Sequence, residues 1–165
     1  MVMTFPQNFM LHLHSGVVDL NGGITGDRVH LAHHSHATFV HFNEDGTGAV
    51  TLGFQEHTAG TAGTSASLAV VTDYWYMAHA TDILTAGLTF THGTQAAGAS
   101  IDTSALLDNA ELLIVVDFES SQLSDGYSWI SCNITEDYGA TVNGFGFWIL
   151  GGTRYGQDVI ATATS

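Results

Sequence analysis

The chain has 165 residues, with two arginines, no lysine, sixteen carboxylates and ten histidines, for a formal charge of −14 at neutral pH. Nucleic acids and anionic membrane surfaces are held through Lys and Arg, and Arg28 and Arg154, far apart in sequence, cannot supply that contact, so neither is expected as a partner. At 45 % hydrophobic and 11 % charged the chain is too apolar for a disordered acidic tail, and its charge suits a salty medium or the dense display of many copies that must not clump.

Residues 1–165 read as one β domain. The start, Met1-Val-Met-Thr-Phe-Pro-Gln-Asn-Phe-Met10, is apolar without a period and holds the one proline. Residues 1–15 accordingly read as an extended N-terminal arm that orders on a neighbouring subunit, and deleting residues 1–10 should weaken assembly while sparing the fold. With no basic region there and no long apolar run anywhere, neither a secreted precursor nor a membrane-spanning protein is expected.

Ala37 to Phe42 is a strand, Asn43 to Gly48 a turn, and Ala49 to Glu56 an alternating return strand. Gly60 to Ser67 is a loop of small residues, Leu68 to Met77 is strand-like, and Thr85 to Phe90 offers a further strand. Helix signals are poor: Ala78 to Leu84 and Asp102 to Asn109 allow one short turn each. Glu111 to Phe118 is a β-branched apolar run bounded by the turn-rich Glu119 to Gly126. Tyr127 to Thr135 then alternates at period two, and Gly139 to Gly144 leads to Phe145 to Leu150, so these three strands are expected as an antiparallel meander.

The pattern recurs. Val29 to Leu31, Ala37 to Phe42 and Thr51 to Glu56 can be laid on Ile101 to Thr103, Ala110 to Val115 and Trp129 to Ile134 with one loop-sized insertion, as two similar hairpin units would require. Two such units must face one another to bury their apolar sides, which makes the fold all-β: an antiparallel β-sandwich or jelly roll with little helix.

His12-Leu-His14 and His33-His34-Ser-His36, with His30 and His41, have residue types and spacing open to a metal, since i and i+2 share a strand face. The carboxylate that a cupin-like set needs is not in place, and the histidines read instead as neutral polar surface residues standing where other proteins carry lysine. Their titration should lift the charge from −14 towards about −4 in mild acid, with association or precipitation between pH 6.5 and 5. Catalytic motifs are lacking: no nucleophile elbow, metalloprotease helix or phosphate-cradling loop occurs. Asp117 and Glu119 share a strand face as a glycosidase pair would, but read as solvated carboxylates. Cys132 reads as a small buried hydrophobe beside Ile130 and Ile134, and, being alone, allows neither an internal disulfide nor a cysteine-based zinc site. No catalytic, cofactor-binding or metal residue is assigned, and no enzyme is expected. Tyr74-Trp75-Tyr76, with Tyr127 and Trp129, could form a sugar-stacking platform, or be core and subunit interface.

Phe118-Glu119, Leu123-Ser-Asp-Gly-Tyr127, the strand Trp129 to Thr135 and Ile149-Leu-Gly-Gly-Thr-Arg154-Tyr155 together resemble small virion proteins of tailed bacteriophages that decorate the capsid. Val50 to Thr64, followed by Tyr74-Trp75, fits the same likeness, which covers roughly residues 28 to 160; the absence of lysine departs from it. The resemblance implies a capsid decoration or cement protein made in the host cytoplasm and carried on the outer shell. Its partners would be the major capsid protein or other virion proteins, and it would form a homo-oligomer, a trimer by preference. Arg154, a rare cation after the last apolar strand, is expected to pair with carboxylates and fix register, so that Arg154→Ala alters oligomeric state. The rival reading is a carbohydrate-binding β-sandwich using Tyr74, Trp75 and Tyr76; the third is a histidine-based metalloenzyme.

Overall fold

The computed structural model describes residues 9–44, 49–79, 83, 89–104, 106, 111–136 and 142–153. Twelve strands follow in chain order: β1 (Met10–Asp19), β2 (Ile24–Thr25), β3 (Val29–His30), β4 (His34–Asn43), β5 (Val50–His57), β6 (Ser65–Ser67), β7 (Val71–His79), β8 (Thr91–Gly98), β9 (Ser100–Asp102), β10 (Glu111–Glu119), β11 (Trp129–Glu136) and β12 (Asn143–Thr153). One antiparallel sheet has the order β1-β12-β4-β10-β7-β8. The second runs β2-β11-β5-β6, with β3 also on β11 and β9 also on β5. Among the described residues the one helical element is a 3-10 turn at Ser120–Gln122. The expected all-β, two-layer antiparallel fold is what the chain forms.

Period-two alternation builds the core. Ala37, Phe39 and His41 of β4, Leu112, Ile114, Val116 and Phe118 of β10, and Trp148 and Leu150 of β12 point inward from the larger sheet. Val50, Leu52 and Phe54 of β5 and Ile130, Cys132 and Ile134 of β11 meet them from the smaller one. Rings interlock across the gap: Phe39 lies 5.8 Å edge-on from Phe54, Phe54 4.8 Å from Phe118, and Phe39 4.7 Å from Trp148.

Three expectations are corrected. Residues 37–56 are not a hairpin, because β4 pairs with β10 and β12 while β5 lies in the opposite sheet on β11. The meander over residues 111–150 fails likewise, since β11 leaves the sheet that holds β10 and β12. An apolar run facing a core on one side only satisfies either arrangement, so alternation cannot tell a hairpin from a connection that changes sheet. Third, residues 10–15 of the supposed arm belong to β1, paired with β12 from Met10↔Leu150 to Leu13↔Phe147; residues 1–8 lie outside the described residues. So do the turn residues 45–48, residues 85–88 of the expected strand, residues 80–82, 84, 105 and 107–109 of the suggested helical turns, and Arg154 with Tyr155.

The recurrence has a structural counterpart that hairpins would not give. Exchanging β1 with β8, β3 with β9, β4 with β10, β5 with β11 and β7 with β12 maps the large-sheet order onto itself reversed. The same exchange carries Trp129↔His30 and Ile130↔Val29 onto Thr51↔Asp102 and Leu52↔Ile101. Residues 29–30 therefore correspond to residues 101–102, as the pattern required. The exchanging strands β4 and β10 pair with each other, and so do β5 and β11, so one two-fold relation of strand order and register spans both sheets.

Inward positions of β12 are glycine where neighbours need the room. A Cβ on Gly146 would stand 2.9 Å from His14 Cδ2 and 3.0 Å from Phe39 Cζ, whereas one on Gly16 meets nothing within 4 Å. Gly146→Ala should lower stability by about 1–3 kcal/mol and Gly16→Ala should change it by less than about 0.5 kcal/mol. Urea unfolding of the two variants checks this; equal midpoints would show that the packing around β12 is looser than described.

Candidate interaction surface

The two outer faces of the sandwich differ in kind. On the smaller sheet Thr51, Gln55, Asn133 and Thr135 point outward and are polar, and Ser131 on the same face is buried beneath His57. On the larger sheet two neighbouring rungs of outward positions are apolar across adjacent strands. One rung runs Leu13, Phe147, Val40, Val115, Trp75, and ends at His92 on β8. The next holds Phe145, Phe42, Leu113 and Met77. Leu11 is 58 % exposed, Leu13 65 %, Trp75 39 % and Phe90 46 %, and the residues between them are partly exposed. At the usual strand spacing the rung spans about 24 Å. Contiguous exposed apolar surface is characteristic of interaction sites.

The two-fold relation holds for this face as well. Val40, opposite Phe147 and Val115, exchanges with Leu113, opposite Met77 and Phe42, and Phe42 exchanges with Val115. Near Trp75 the surface sinks into a hollow of about 200 Å³ lined by Trp75, Phe90, Val115 and Asp117. His92 stacks on Trp75 with centroids 4.8 Å apart and bonds Asp73 through Nε2 at 2.9 Å. Polar groups gather at the end of the face: the Thr38 hydroxyl donates to Asp117 Oδ1 at 2.6 Å, and His36 reaches Asp117 at 3.3 Å and Glu119 at 3.2 Å. Asp117 and Glu119 are thus exposed rim carboxylates rather than a pair facing a cleft.

The histidines disperse. His12 and His14 do share a face, but it is the inner one. His33 is exposed, His34 is buried, His36 lies on the outer rim, and His30 stacks on Trp129 at 4.3 Å. Among the described residues no three of His, Cys, Asp and Glu converge as a metal-holding set. The reading of all histidines as surface substitutes for lysine fails for His14, His34, His41 and His57, which are buried.

Burial drives the pKa of His14 down to about 4, with Asp27 opposing and His12 assisting. Burial does the same to His41, to about 4, with His14 assisting. The Asn43 side chain and the Phe145 backbone pull His41 the other way, yet neither of its ring nitrogens, nor those of His14, meets a hydrogen-bond partner in good geometry. His57 differs: Nδ1 meets Ser65 Oγ at 2.7 Å and Nε2 meets Ser131 Oγ at 2.8 Å, so the buried ring ties β6 to β5 and β11. Glu56, also buried, accepts the Ser124 amide at 2.8 Å and its hydroxyl at 2.6 Å. Neither arrangement had a sequence signal, because partners up to 74 residues apart meet only once the sheet forms.

Of the suggested sugar platform, Tyr74 is buried beside Tyr76 and only Trp75 of that trio faces outward, since neighbours on a strand point to opposite sides; Tyr127 and Trp129 are half-buried, and Trp129 belongs to the other sheet, stacked on His30, so the five do not form one platform. Cys132 is buried with Ile130 and Ile134, as expected. Arg28 holds the small-residue loop by donating to the carbonyls of Ala59 at 2.8 Å and Ala62 at 3.2 Å.

Fold and surface together define a two-sheet antiparallel β-sandwich with one polar and one apolar outer face. No family model and no curated protein matches the chain. Among solved structures it is similar to the SPBc2 prophage-derived protein YomS, at a TM-score of 0.42 and 11 % identity over 90 % of this chain and 98 % of that one.

His14 and His41 have folded pKa values below the unfolded value of 6.5, so the stability they permit is complete above pH 6.5 and is lost as pH falls towards 4. Each should remove about 2 kcal/mol by pH 5. Urea midpoints at pH 7.5 and pH 5 measure this, and His41→Leu should flatten the dependence; a midpoint that does not move with pH would mean that the two rings take up protons while folded.

Proposed function

We propose that this chain is a bacteriophage virion structural protein that decorates the capsid, docking through the outer face of its six-stranded sheet and reinforcing the joints between shell subunits. The observation that carries the reading is the apolar rung from Leu13 to Trp75, which crosses five strands and is left partly exposed. A core-quality surface on the outside of an otherwise acidic protein suits a long-lived contact, in which the centre is apolar and charge lies at the rim. The sequence likeness to capsid-decorating proteins supports the same role. Lysine-free acidity adds a reason: copies crowded on one shell repel one another everywhere but at this face.

On this reading the protein works without catalysis, cofactor, nucleic acid or membrane. It acts as a closed homo-oligomer, with a trimer favoured, on the capsid surface after synthesis in the host cytoplasm. Mass spectrometry of purified particles, digested with a Glu/Asp-specific protease because trypsin has only Arg28 and Arg154 to cut, should find it in fixed ratio to the main shell protein. Absence from particles with soluble protein in the lysate overturns the proposal. The double variant Leu11→Glu and Leu13→Glu, at two mostly exposed sites, should leave thermal stability within about 1 kcal/mol and abolish co-sedimentation with shells that lack the protein. Unchanged co-sedimentation would remove this face as the docking surface.

A further inference from the structure

We propose that the hollow formed by Trp75, Phe90, Val115 and Asp117 is a socket for a lysine or arginine side chain of a different protein, so that the surface covering the apolar face carries basic residues at its edge. The inference rests on the outer face being a docking surface and adds what its partner must present.

Three observations carry it. The open hollow, about 200 Å³, is lined by two aromatic residues and a valine, with Asp117 the one charged residue at its edge. A cation on an alkyl stem satisfies both parts, with methylenes against the apolar walls and the charge between ring face and carboxylate. Both polar contacts given to Asp117 among the described residues, from Thr38 and His36, fall on Oδ1.

Second, the pairing of an aromatic residue with a carboxylate recurs at the opposite corner of the face. The relation that exchanges Phe42 with Val115 and Phe145 with Trp75 also carries Asn43-Glu44 onto Val116-Asp117, and Leu13, opposite Phe147, onto Phe90, which stands next to Thr91 of β8. An aromatic residue and a carboxylate therefore stand at diagonally opposite corners of the apolar face, where Glu44 Oε2 accepts Asn143 Nδ2 at 3.0 Å.

Third, the chain has no cations to spare for both corners. It has no lysine, Arg28 is bound to the carbonyls of Ala59 and Ala62, and Arg154 is its one other fixed cation. A second copy laid on the face would leave one corner of each subunit without a counter-charge.

The test is an NMR titration of the ¹⁵N-labelled chain at pH 8, where free imidazoles are neutral, with n-butylammonium, n-butylguanidinium, n-butanol and methyl α-glucoside. The two cations should shift the Trp75 indole signal and saturate, binding at least about fivefold tighter than n-butanol, and Asp117→Asn should remove that preference. Equal response to n-butanol, or saturation by the glucoside without response to the cations, overturns the socket. In the particle assay, Asp117→Asn with Glu44→Gln should weaken co-sedimentation several-fold and reduce its salt dependence. Full binding by that variant, where Leu11→Glu with Leu13→Glu abolishes it, defeats the socket and leaves the docking face standing. Cation binding by a protein that never joins particles defeats the virion reading and leaves the socket. A dimer in sedimentation velocity that Arg154→Ala dissociates would assign the face to a second copy and overturn the different partner.

Discussion

The contact that the rest of the molecule depends on is the packing of Phe54 between Phe39 and Phe118. Phe54 comes from β5, and its two neighbours come from β4 and β10, the paired strands at the centre of the opposite sheet. Each ring is fully buried, and burial of an aromatic side chain contributes about 1.5–3 kcal/mol. Because β4 runs on into β5, and β10 into β11, those rings also fix where the chain changes sheet. The paired centre is held in one register there, and the outer strands β1, β12, β7 and β8 flank it on either side.

That arrangement explains what was legible in the sequence. The strands of the centre, β4, β5, β10, β11 and β12, have inward positions filled by Phe, Leu, Ile, Val and Trp, and their alternation is visible in the residues themselves. The correspondence of Val29-His30 with Ile101-Asp102 was legible for the same reason, since the two-fold relation places equivalent residues against equivalent walls. Which strand paired with which was not, because pairing is decided by contacts of long sequence separation that alternation does not encode.

The edge strands were illegible for a different reason. In β1 the pattern is inverted: His12 and His14 face inward while Leu11 and Leu13 face out, so a reading that places leucines in the core finds no consistent strand. In β8, Thr91-His-Gly-Thr-Gln-Ala-Ala-Gly98 has little apolar content, as suits a strand at the edge of the sheet among the described residues with most of its positions exposed. The same inversion hid the candidate surface. Val40, Phe42, Val115, Phe145 and Phe147 read as a generic apolar complement of buried strands, and only the register shows that they align on the outside of one sheet.

An inverted β1 also joins the interior to the exterior. Turning Leu11 and Leu13 outward to complete the apolar face obliges the intervening His12 and His14 to enter the sandwich, where His14 occupies the space left by Gly26 and Gly146. Period two allows no other outcome, because a one-residue slip of β1 would return the leucines to the core and strip the outer face of its edge. An unpartnered imidazole inside the sandwich costs stability. A chain under no demand beyond folding would have leucine at 14 and a polar residue at 13. The residues at 11 to 14 are therefore best understood as set by the face, with the burial of His14 and its acid sensitivity as a consequence.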